Sequence, residues 1–146
     1  MNEPAYPFRN SADRMTFVFQ SVSRYRTITK QVLYDPIDDP FYNLALVDVM
    51  PDGRLADDIT SDNQDLSKII ATVVQTMLLF AEKYPDKLIY FQGSNDVRTR
   101  FYRILIGREL EQATRLFFVY GKKSSDEYEI FVPNYPYIGF AFGLKQ

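Results

Sequence analysis

Between Leu66 and Tyr84 apolar residues recur at spacings of three and four: Leu66, Ile69, Ile70, Val73, Val74, Met77, Phe80, Ala81 and Tyr84 form one continuous stripe. Ahead of the stripe, Ser61-Asp-Asn-Gln-Asp65 supplies side chains that can cap free amides, with an acid suited to the positive end of a helix dipole. Behind it stands Pro85, and the residue before a proline is pushed out of the α region. The spacing therefore predicts one core helix over Ser61–Tyr84. A helix with a single apolar stripe must bury it against something, and the rest of the chain offers short runs with strand character.

Those runs are β-branched and aromatic, as strand residues are. Thr16–Ser21 and Thr27–Tyr34 read as a hairpin joined near Ser23, after an N-terminal arm over residues 1–15 that carries two prolines and is expected to be loosely held. Phe41–Met50 follows as a third strand. Pro51-Asp-Gly-Arg54 is turn chemistry, and Leu55–Ile59 returns from it. After the core helix, Lys87–Gln92 reads as a buried strand, Gly93-Ser94 as a turn, and Asn95–Ile106 as a second helix that Gly107 ends or kinks. On that helix Val97, Phe101, Ile104 and Leu105 share one face, with Arg98, Arg100 and Arg103 flanking or opposing it. A helical turn near Glu109–Ala113 leads into strands at Leu116–Tyr120, Tyr128–Val132 and Tyr137–Phe142. The order ββββαβαβββ predicts a single α+β domain over 16–146, a mostly antiparallel sheet packed by two main helices.

Composition narrows the chemistry. With no cysteine and no histidine, the chain can build neither thiolate nor imidazole nucleophile pairs, nor the usual zinc sites, so neutral-pH acid–base work would fall to a perturbed carboxylate or lysine. A formal charge of −2 argues against a surface that coats nucleic acid. The start has no basic region followed by an apolar stretch, and the longest apolar run, Ile69–Ala81, is broken by Gln75 and Thr76. A cytoplasmic protein with no cofactor and no membrane association is expected, leaning away from enzymatic activity.

Tyr42-Asn-Leu-Ala45, Ser61-Asp-Asn63, Ala71-Thr-Val73, Glu82-Lys-Tyr-Pro85, Gly93-Ser94, Arg98-Thr-Arg-Phe-Tyr102 and Val119-Tyr-Gly121 occur here in one order and spacing. In this the chain resembles a family of small bacterial domains of unknown function, found mostly in Bacteroidota, over nearly everything from Thr16 to Gly121. The resemblance implies a fold and a bacterial cytoplasmic origin, and it carries no catalytic role. One departure is the first turn, Val22-Ser-Arg-Tyr-Arg26, where such domains tend to have a glycine-rich sequence.

Four groups could carry a function. At the second helix, Gly93 and Ser94 precede Arg98, Arg100, Tyr102 and Arg103, and helix-start amides with arginines could hold a phosphate or carboxylate, or meet a partner. The commoner origin of such a pattern is a capping Ser94 with arginines paired to surface acids. Adding Arg108, Arg115, Lys122 and Lys123 would give a nucleic-acid face with Tyr102 as a stacking platform, against which the overall acidity counts. Asp38, Asp39, Asp57, Asp58, Asp62 and Asp65 could in principle gather around a hard cation, but their spacing fits turns and helix starts better. Tyr128, Phe131, Tyr135, Tyr137, Phe140 and Phe142 could meet a partner or, more ordinarily, pack a sheet. The leading expectation is a non-enzymatic binding or regulatory module whose ligand or partner contacts Gly93, Ser94, Arg98, Arg100, Tyr102 and Arg103. A nucleic-acid-binding module using the same helix is the alternative, and an enzyme without His or Cys chemistry the third.

Overall fold

Strand alternation and turn chemistry set the first part of the sheet. In a computed structural model, which describes residues 4–56 and 65–146, Phe8–Asn10 (β1) pairs antiparallel with Thr16–Val22 (β2), and β2 with Thr27–Pro36 (β3). The hairpin closes where the sequence places it, through an Ser23 amide to Arg26 carbonyl bond of 3.0 Å. Its alternation is the expected one: Phe17, Phe19 and Ser21 are buried on β2, Lys30, Val32 and Tyr34 on β3.

The segment read as an arm, residues 1–15, needs correction from Tyr6 onward. Tyr6 is buried, its amide donates to Thr72 Oγ1 at 2.8 Å, and β1 belongs to the sheet. Pro7 has no amide for a ladder and so takes the chain off the strand path. At that point the Tyr6 hydroxyl replaces a neighbouring strand: it accepts from the Val22 amide at 3.1 Å and donates to the Asp65 carboxylate.

Phe41–Val49 (β4) turns at Pro51–Arg54, where Gly53 adopts φ +88°, into the short Leu55–Ala56 (β5). The rest of the expected Leu55–Ile59 strand and the Ser61 cap lie outside the described residues. Leu66–Lys83 (α1) ends before Pro85 as the proline requires. Its buried face is rotated from the aliphatic stripe: Thr72 and Thr76 are wholly buried while Leu66 is exposed. Both threonines are satisfied, Thr72 by Tyr6 and the Lys68 carbonyl, Thr76 by the Tyr34 hydroxyl at 2.9 Å and the Val73 carbonyl.

Leu88–Phe91 (β6) pairs parallel with Phe41–Asn43 of β4, a crossover in an otherwise antiparallel sheet. Asp96–Arg108 (α2) and Leu110–Leu116 (α3) follow, then Phe117–Lys122 (β7), Tyr128–Ile130 (β8) and Gly139–Leu144 (β9). β9 lies between β6 and β7, giving the strand order β1-β2-β3-β4-β6-β9-β7-β8 with β5 on β4. The α+β class expected from the sequence is the class observed. Two boundaries differ: Gly107 lies inside α2, and α3 is a separate helix of seven residues.

Contacts along the chain divide into two compact units, Met1–Asp35 with Leu44–Lys83, and Pro36–Asn43 with Tyr84–Gln146. In the first, Tyr34 stacks on Phe80 at 4.3 Å between ring centres, and Lys30 is fully buried in an ion pair with Asp48 at 2.5 Å. In the second, Phe117, Val119, Phe131, Tyr137, Phe140 and Phe142 are buried, so four of the six tail aromatics form core while Tyr128 and Tyr135 stay partly exposed. No helix among the described residues is long and apolar enough to cross a membrane.

Candidate functional site

The second helix starts on a close approach between backbones. A Cβ on Gly93 would lie 2.4 Å from the Thr99 amide nitrogen and 2.7 Å from the Arg98 carbonyl carbon, so only glycine lets the first turn of α2 seat there. Thr99 locks the approach: its buried hydroxyl accepts from the Gly93 amide at 3.0 Å and donates to the Asn95 carbonyl at 3.0 Å. The cap is Asn95, whose side chain accepts from the Arg98 amide at 2.9 Å, and not Ser94. Ser94 is exposed and instead accepts from the Arg98 guanidinium.

Of the expected contact residues, the structure brings Gly93, Ser94 and Arg98 together. Arg100 is not with them, because two residues at 100° each put it roughly 200° around the helix from Arg98. It is exposed on the outward side, while Arg103 is half-buried. Tyr102, four residues after Arg98, turns inward and meets Phe91 of β6 edge-on at 4.6 Å. Burial pushes its hydroxyl up to about 12, although the nearby Arg98 charge pulls the other way. It is therefore a packed side chain and not a free stacking platform.

The more basic reading also disperses. Arg115 pairs with Glu111 at 3.2 Å, Lys122 with Asp126 at 3.6 Å, and Lys123 with Glu129 at 2.9 Å. Among the acids, Asp39 pairs with Lys87 at 2.6 Å and Asp65 accepts from Tyr6 and Ser21. Among the described residues no three acidic side chains come together as metal ligands; Asp57, Asp58 and Asp62 lie outside them.

What the sequence reading missed is which side of α2 faces in. The inward side carries the buried Thr99 together with Tyr102, which packs on Phe91. Val97, Phe101 and Ile104, at i, i+4 and i+7, point outward and are 78%, 45% and 51% exposed. The signal was available in Gly93 and Thr99, six residues apart: a glycine at a helix entry followed by a small hydroxyl one turn in marks the packed side. The outward stripe is bordered by Arg100 and Arg108, both exposed, and α2 carries four arginines, at 98, 100, 103 and 108, against Asp96 alone.

A small α+β domain with an outward-facing apolar row on one helix, and no metal-binding cluster of acids among the described residues, defines a class, not a reaction. The chain belongs to the family of unknown function DUF6934, whose model matches residues 2–145. Neither a curated protein nor a solved structure matches it.

Proposed function

We propose that this domain is a protein-binding module whose contact surface is the outward side of α2. The observation that carries the reading is the exposed row Val97, Phe101 and Ile104. Large apolar side chains scattered singly on a surface are ordinary, but a contiguous row along a helix with an arginine border matches the anatomy of an interface: an apolar centre, Phe and Arg enriched, and a polar rim. The Gly93–Ser94–Arg98 corner supports the surface by fixing the helix entry. Catalysis plays no part in the reading.

The test pairs stability with contact. Phe101→Asp should leave the melting temperature almost unchanged, since exposed substitutions away from structural features stay within about 0.5 kcal/mol. A photo-reactive benzoylphenylalanine at Val97 should form a discrete protein adduct in cells, lost in the Phe101→Asp chain, while the same probe at the exposed Tyr25 forms none. Absence of any adduct at Val97, or unfolding caused by Phe101→Asp, would overturn the proposal.

A further inference from the structure

The α2 surface has a charge as well as an apolar row, and together they specify an occupant. Resting on the protein-binding reading above, we infer that the partner is an acidic amphipathic segment of a different protein: apolar side chains seated on Val97, Phe101 and Ile104, with carboxylates on its flanks facing Arg100 and Arg108. The whole chain carries −2, yet α2 holds four arginines and one acid, so the positive charge is concentrated on the element whose apolar row is exposed. Rim arginines beside an apolar centre attract carboxylates and suppress cationic partners, which gives specificity and a faster encounter.

A second copy of the chain fits less well. Two α2 helices packed antiparallel about a dyad between Phe101 and Ile104 would bring their Arg100 side chains to roughly 7–8 Å apart along the axis, from the 1.5 Å rise per residue. That is within about one screening length at physiological salt, and Arg103 adds to the same flank. The acid of α2, Asp96, stands one turn before Arg100 on the same flank and offsets that charge only in part, since it lies further from the dyad. An isologous contact would thus press like charges together at its centre.

The test uses the full chain and two labelled synthetic helical peptides, both with leucines at i, i+3, i+4 and i+7, one flanked by glutamates and the other by lysines. By fluorescence anisotropy the glutamate peptide should bind, weakening as salt is raised, and the lysine peptide should bind at least about tenfold more weakly. The preference should invert in an Arg100→Glu/Arg108→Glu chain. Equal binding of both peptides, or of neither, overturns the acidic partner; if the Val97 adduct persists, the protein-binding reading survives that failure. A concentration-dependent dimer in sedimentation velocity, strengthened by Arg100→Glu, would instead assign the surface to a second copy. Uptake by phosphatidylserine vesicles without peptide binding would assign it to a lipid surface.

Discussion

Gly93 shows how much one missing methyl group decides. The first turn of α2 rests on its backbone, with Thr99 closing the contact through two hydrogen bonds. Gly93→Ala must push the helix off or strain it, because the atoms in the way are backbone. The expected cost is about 1–3 kcal/mol, read as a lower midpoint in urea at unchanged slope. A variant as stable as the parent would mean that the helix entry gives freely. At this scale the sequence was partly legible. It marked Gly93 and Ser94 as a helix entry, but it could not choose Asn95 over Ser94 as the cap, since either side chain is chemically competent. It also treated Arg98 and Arg100 as one contact pair, where the helical period alone separates them.

Among the elements, α1 and the β2–β3 hairpin were the most legible, since helical spacing and Pro85 agreed on the one and strand alternation marked the other. The orientation of α2 was not, because an aliphatic row reads as buried and outweighs the fainter mark that Gly93 and Thr99 leave on the packed side. The same blind spot hid the polar contents of the first core. Lys30 sits at an inward position of β3 and Asp48 on β4, paired at 2.5 Å and almost wholly out of water. Composition treats both as surface residues. Removing one partner leaves the other charge buried and uncompensated, so Asp48→Asn should lose about 3–5 kcal/mol in a urea titration, while a Lys30→Met/Asp48→Leu pair should recover most of it. If the single and double variants lost the same amount, the ion pair would not be the source of the cost.

For the molecule as a whole, the α+β class and most of the element order could be read in advance, whereas the parallel β4–β6 pairing and the central place of β9 could not, since strand order depends on which faces meet and not on local propensity. The aromatic richness that did stand out has a global consequence. Burial raises the Tyr102 and Tyr90 hydroxyls to about 12, helped at Tyr90 by the Tyr128 and Asp126 charges, and raises Tyr34 further. Each is neutral when folded and would ionise near 10 when unfolded, so the unfolded chain holds fewer protons in that window. Stability should be fully present below about pH 10 and fall as pH rises toward 12, with tyrosinate absorbance appearing together with unfolding. A melting temperature flat across that window would contradict the burial of these rings. At the end of β2, the Tyr6 hydroxyl caps the Val22 amide. Where Pro7 bends the chain away, an open strand edge would otherwise invite another molecule to add to it. The Tyr6 hydroxyl takes up that one donor, so the end of β2 that β1 does not reach offers one fewer free amide to an added strand.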